Sequence, residues 1–143
     1  MLIRKATKEE TDYIQSIGSQ VQQEATMGYV NETNKITDYD LNAPYQGIYY
    51  VLTHQQRLQG WVLLGETRGP YTNDYSGVIL ELYVLPQFRK YGAGRMLMEF
   101  ALDHFKHRGF NRVQLNVFAG NPARRLYEKL GFREVASLME TKI

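Results

Sequence analysis

Leu80-Glu81-Leu82-Tyr83-Val84-Leu85-Pro86-Gln87-Phe88-Arg89-Lys90-Tyr91-Gly92-Ala93-Gly94-Arg95 decides how this chain is read. An apolar strand runs into a proline, then into a basic loop with two glycines, then into an amphipathic helix. Glycines let the main chain take positive φ and approach a ligand closely. Successive N–H groups from Lys90 to Arg95, with the dipole of the following helix behind them, can ring a phosphate. An ordinary strand-to-helix turn would use the same glycines. No Gly-Lys-Ser/Thr follows, so the loop is not a P-loop, and the third glycine of the dinucleotide fingerprint is absent.

Composition narrows the class. The 143 residues suit a single domain spanning 1–143, and 43% hydrophobic content is enough to build a core. A net charge of +2 with scattered basic residues gives no basic stripe, which argues against a nucleic-acid partner. There is no cysteine, so disulfides, thiolate nucleophiles and Cys-ligated metals are excluded, and no His/Asp/Glu spacing resembles a metal site. The polar opening lacks the apolar core of a signal peptide, and no run nears the ~20 apolar residues of a membrane span. A cytoplasmic protein with no membrane partner is expected.

The rest of the pattern is mixed α/β, in the order β-α-(irregular)-β-β-β-α-β-α-β. Ile3 and Lys5 mark a first strand. Thr7 and Glu10 form a capping box, and Ile14, Ile17 and Val21 predict one helix over residues 8–23. Residues 48–53 and 58–64 read as a hairpin across Gln55-Gln56, and residues 78–85 as the strongest strand. A helix over 92–108 should bury Ala93, Leu97, Phe100, Ala101 and Phe105. Val113, Leu115 and Val117 alternate as a strand. Asn121 and Pro122 open a last helix whose stripe is Ala123, Leu126, Tyr127 and Leu130. Phe132 begins the final strand or strands. His54, His104 and His107 read as surface residues.

The second informative stretch is that last helix, Asn121-Pro122-Ala123-Arg124-Arg125-Leu126-Tyr127-Glu128-Lys129-Leu130-Gly131-Phe132. Together the two stretches resemble the GNAT superfamily of acetyl-CoA-dependent N-acetyltransferases. That family carries Arg/Gln-x-x-Gly-x-Gly/Ala after a strand, then Asn-x-x-Ala-x-x-Leu-Tyr-x-Lys-x-Gly-Phe. The chain matches at Arg89, Gly92 and Gly94, then at Asn121, Ala123 (with an offset of one), Leu126, Tyr127, Lys129, Gly131 and Phe132. The opening Ile3-Arg4-Lys5-Ala6-Thr7 is also similar, so the likeness spans nearly the whole chain.

The resemblance implies the fold: a mixed central sheet with a splayed strand pair and flanking helices. It implies acetyl-CoA as donor, with its pyrophosphate at Arg89, Lys90, Tyr91, Gly92, Ala93, Gly94 and Arg95. It implies pantetheine along the backbone of Leu82, Tyr83 and Val84, and a cofactor contact from Asn121. No metal is implied. Tyr127 matches the family's general acid; a phenol with pKa ~10 can protonate the leaving thiolate. Read from spacing alone, Tyr127 fits a core position on the buried stripe better; it is the resemblance that favours the acid. The attacking amine must lose a proton, since an alkylammonium has pKa ~10.4. Glu81 is the candidate base, because a carboxylate inside an apolar strand is costly without a purpose. Alternation puts it on one face with Tyr83 and Leu85, and Leu80, Leu82 and Val84 on the other. A structural carboxylate, or catalysis through water alone, stays open.

The acceptor is expected between residues 27–44 and 66–77, where Tyr29, Tyr39, Tyr71 and Tyr75 accompany Glu32, Asp38, Asp40 and Asp74. Acids with aromatics suit a cationic amine, though a polar surface loop would look the same. The reading is therefore direct acetyl transfer to a primary amine of a small molecule or peptide in a ternary complex. A non-catalytic acyl-CoA sensor on the same fold is the alternative, and a homodimer is left open.

Overall fold

The computed structural model describes residues 1–31, 47–68 and 74–143. Glu32, Asp38, Asp40, Tyr39 and Tyr71 lie outside the described residues. Leu2–Lys5 forms β1, and Thr7 then caps α1 (Lys8–Ser16). The Thr7 hydroxyl accepts from the Glu10 N–H, and the Glu10 carboxylate accepts in turn from the Thr7 N–H at 2.9 Å. The single helix expected over 8–23 is two. It breaks at Ile17 (φ −105°, ψ 15°) and restarts as α2, Gly18–Ala25. The Ser16 hydroxyl donates back to the Tyr13 carbonyl, and Gly18 follows; both residue types favour leaving a helix. The apolar stripe survives the break, with Ile14 and Val21 buried.

β2 (Ile48–His54), β3 (Arg57–Arg68) and β4 (Tyr75–Val84) join β1 in an antiparallel meander, and β5 (Val113–Leu115) adds a parallel edge to β4. The order across the sheet is β1-β2-β3-β4-β5. Gln55 and Gln56 both take positive φ (50° and 63°), the turn that matches strand twist in a two-residue hairpin. β3 and β4 extend beyond the predicted 58–64 and 78–85, to Arg68 and back to Tyr75.

Two clusters sandwich the sheet. On one side α3 (Ala93–His107) presses Leu97, Met98, Ala101 and Phe105 onto Leu52, Val62, Leu64 and Ile79, with Tyr127 of α4 (Ala123–Lys129) beside them. On the other, Ile14 and Val21 meet Tyr49, Val51, Trp61, Leu63 and Tyr83. Each fully buried Val, Leu, Ile, Phe or Met among them contributes about 1.5–3 kcal/mol.

Three further expectations change. Leu63 pairs with Glu81 but Leu64 pairs with Ile79, so Leu80 is a bulge residue. The extra residue resets the alternation: Leu80 packs with the Trp61–Tyr83 cluster, not with Leu82 and Val84. No strand follows Phe132 among the described residues, and residues 133–143 are exposed, Leu138 at 97%. A strand needs a neighbour for its N–H and C=O groups, and none lies beside this segment. His104 is not a surface residue; it is half-buried, with its ring 5.2 Å from Tyr50 and 6.0 Å from Phe100. Burial, with Arg108 nearby, pushes its pKa down. No helix among the described residues is long and apolar enough to cross a membrane.

Candidate active site

The geometry begins where two strands part. β5 pairs with β4 only at Gly77, Val78 and Ile79, whose partners are Val113, Gln114 and Leu115. Beyond Ile79, β4 runs on to Val84 without that neighbour. The Leu85 N–H donates to the Gln59 carbonyl of β3 at 2.9 Å. Main-chain groups alternate sides along a strand. Tyr83 therefore faces β3 as Leu85 does, while Leu82 and Val84 turn their N–H and C=O groups to the open side. Such an edge can receive the amides of an extended ligand as a further strand would.

That edge leads directly into the glycine loop. After a short 3-10 turn (Pro86–Phe88), Lys90 and Gly92 both take positive φ, 73° and 84°. Nothing lies within 4 Å of the place a Gly92 Cβ would occupy, so the approach to the loop is clear. The Met96 N–H takes the Gly92 carbonyl at 3.0 Å, the start of the helical ladder. The amides before it point out of the helix end, where they and the dipole favour an anion. Lys90, Tyr91 and Gly92 are exposed and Ala93 is buried. Arg95 reaches along the helix to Glu99 at 2.8 Å. Gly94 sits under ordinary contacts from Leu126 and Val84.

Arg89 folds back from the loop. Its Nε donates to the Val84 carbonyl at 2.8 Å, its Nη2 bonds Glu24 Oε2 of α2 at 2.9 Å, and its guanidinium lies 5.1 Å from the centre of the Tyr83 ring. One side chain thus ties together the open edge, the loop and α2. Burial, and then the Glu24 carboxylate, push the Tyr83 phenol pKa up.

Glu81 belongs to the face of β4 covered by α1 and α2. Its Oε2 accepts the indole N–H of Trp61 at 2.7 Å. Burial pushes its carboxyl above the ordinary carboxylate range, and the Trp61 bond draws it part of the way back. Tyr127 is in the opposite cluster, 9% exposed, its ring 6.1 Å from Phe132. Burial raises its phenol pKa, so it holds its proton at neutral pH. Glu81 and Tyr127 thus flank the sheet from its two faces rather than touching.

Asn121 is fully engaged. Its Oδ1 accepts the Ala123 N–H at 2.9 Å and its Nδ2 donates to the Ala25 carbonyl at 3.1 Å. The end of α2 therefore meets the β5–α4 loop. Tyr29 reinforces this meeting, 5.9 Å from the Phe118 ring and bonded to Glu140 at 2.9 Å. Of the other residues expected near the acceptor, Tyr75 lies under the Arg68 guanidinium at 4.5 Å, and Asp74 is exposed. Sequence reasoning missed Trp61 and Glu24. Neither carries a motif, and only the β3–β4 register and the fold-back of Arg89 reveal them.

A family model for acetyltransferases (GNAT) matches residues 16–132.

The chain belongs to the acetyltransferase (GNAT) family.

The family is one of acyltransferase enzymes with acetyl-CoA as donor. The chain is 42% identical over 57 residues to the [ribosomal protein bS18]-alanine N-acetyltransferase of Salmonella typhimurium, a stretch covering 39% of this chain and 38% of that protein. The corresponding Haemophilus influenzae enzyme is 35% identical over 57 residues, 40% of this chain and 39% of its own. The matched stretch thus spans about two-fifths of these curated relatives. A mutant Bacillus halodurans protein superposes with TM-score 0.81 at 20% identity, covering 100% of this chain and 99% of its own. A ribosomal-protein-alanine N-acetyltransferase from Brucella melitensis superposes with TM-score 0.69 at 18% identity, covering both chains fully (100% each). At these identities the likeness is one of fold.

Proposed function

We propose that this GNAT domain transfers the acetyl group of acetyl-CoA to a primary amine of a small molecule or peptide, by direct attack within a ternary complex. One observation carries the reading: the edge of β4 at Leu82 and Val84 has no strand beside it, and it leads through one short turn into the positive-φ loop at Lys90 and Gly92, with Arg89 folded back onto the Val84 carbonyl. An extended amide-bearing arm followed by a pyrophosphate has that shape, and the clear space at Gly92 fits the group. When bound, acetyl-CoA supplies the thioester carbonyl.

The chain's own residues divide the remaining work. The amides of residues 90–95 hold the pyrophosphate, and the Arg89 fold-back sets the angle between loop and edge. Glu81, with its raised pKa, takes a proton from the attacking ammonium or from a water beside it. Tyr127 holds a proton at neutral pH and gives it to the departing sulfur. The curated relatives are named for acting on an alanine of ribosomal protein bS18, so a peptide α-amine is the first acceptor to try.

The test is thiol release from acetyl-CoA against alanyl peptides, amino acids, polyamines and aminoglycosides. Turnover with at least one amine, lost in Glu81→Gln and Tyr127→Phe, is expected. Tight acetyl-CoA binding with no turnover across the panel would instead make the protein a sensor.

A further inference from the structure

Trp61 is fully buried, yet its indole N–H ends on a carboxylate rather than on a main-chain carbonyl. The register explains how the two meet. Trp61 stands opposite Tyr83 and Leu63 opposite Glu81, so Trp61 and Glu81 are diagonal neighbours on one face. That spacing is within reach of an indole. The Tyr83 ring packs against the indole, with centroids 5.0 Å apart and planes tilted by 33°. The Leu80 bulge lies directly behind Glu81 and anchors the register there.

The pairing is one-sided in energy. A buried indole N–H needs only a neutral acceptor, and one bond recovers about 1 kcal/mol. Burying a carboxylate costs more than that. The arrangement thus serves Glu81 rather than Trp61. The ionisable groups facing this side include Tyr49 and Tyr83 on the sheet, Glu24 and Arg89 beyond the Tyr83 ring, and Glu9, Glu10 and Tyr13 of α1 around Leu58 and Leu85. Burial raises the Glu81 pKa and the indole bond lowers it.

We propose that Trp61 is a positioning residue for proton transfer: its N–H holds Oε2 of Glu81 in one rotamer and leaves Oε1 directed at the acceptor amine. The indole also favours the ionised form, so the base is available at lower pH than burial alone would allow. This rests on the acetyltransferase reading above.

Trp61→Phe removes the N–H and keeps a ring against Tyr83. With acetyl-CoA and an alanyl peptide, the acidic limb of kcat/KM should move up by about one pH unit. The kcat should fall about tenfold and the KM for acetyl-CoA should hold. A merely structural tryptophan would lower Tm without moving the limb. The Glu81 carboxyl carbon is also titrated by NMR, which needs no turnover. Its pKa should rise by the same amount in Trp61→Phe. If Trp61→Phe does not fold, benzothienylalanine at position 61, with sulfur in place of the N–H, is read in the same two ways. A limb and an NMR titration that both stay at the wild-type position overturn the proposal. Full activity in Glu81→Gln would overturn the base assignment instead, while the NMR shift would still report whether Trp61 holds the carboxylate.

Discussion

Gly60 is where the open edge is most sensitive to a single methyl group. A Cβ built there lies 2.6 Å from the Tyr83 carbonyl oxygen, 3.2 Å from Val84 Cα and 3.3 Å from Leu97 Cδ1. Two of these neighbours are main chain and cannot rotate away. Restoring ordinary contact requires β3 and β4 to part by about 0.8 Å at Tyr83. Overpacking of that kind costs about 1–3 kcal/mol. The Leu85–Gln59 ladder bond beside it weakens as well, worth about 1 kcal/mol. Loss of unfolded-state freedom on Gly→Ala returns about 0.4–1 kcal/mol. Gly60→Ala should therefore destabilise by about 2 kcal/mol, a fall in Tm of roughly 8 °C for a chain of this size. The moved strand is the one that carries the Leu82–Val84 edge, so acetyl-CoA affinity measured by calorimetry should fall too. Gly18→Ala is the control: nothing lies within 4 Å of its Cβ and it sits in α2, so Tm should hold or rise. A Gly60→Ala protein with wild-type Tm and wild-type acetyl-CoA affinity would refute the close-approach argument.

Tyr127→Phe should lower kcat about a hundredfold while leaving acetyl-CoA affinity within about twofold; an unchanged kcat removes Tyr127 as the acid. Gly92→Glu should abolish acetyl-CoA binding in calorimetry, because it combines a strained left-handed backbone with a carboxylate in the proposed pyrophosphate loop. Gly94→Ala has room for its Cβ at 3.6 Å from Leu126 and lies in α3, so it should preserve binding and raise Tm slightly. Glu10 accepts from Arg4 at 2.7 and 3.0 Å, and its pKa is lowered to about 2. A depressed folded-state pKa gives stability that is present above about pH 4.5 and is lost as pH falls toward 2. Glu10→Ala should cost about 1 kcal/mol at pH 7 after solvent screening, and the gap to wild type should shrink by pH 2–3 in urea titrations. A gap that does not change with pH would sink that account.

What could be read from the sequence was whatever local chemistry dictates. The Thr7–Glu10 capping box, the Gln55-Gln56 turn, the α3 stripe and the glycine loop each depend on residues close in the chain. The mixed α/β order and the family resemblance follow from several such local signals in sequence order. The break at Ile17 was hidden because an unbroken 3.6-residue stripe runs through it. The Leu80 bulge was hidden because alternation assumes a regular ladder, and only the pairing with Leu63 and Leu64 shows the extra residue. His104 was misjudged from its place near a helix end, since the aromatic neighbours that bury it include Tyr50 of β2. Trp61 and Glu24 act through partners 20 and 65 residues away, beyond any local signal.

The brevity of the β4–β5 pairing has a consequence for how the molecule opens. β1 to β4 form a meander of sequence-adjacent strands, whereas β5 is held to β4 by three residue pairs and the Gly77–Arg112 backbone bond. Cooperative units separate where the fewest bonds cross. Amide hydrogens of residues 113–115 should therefore exchange with solvent well before those of β2 and β3, through an opening that leaves the meander intact. A ligand that bridges the open edge and the loop would slow that exchange from one side of the seam.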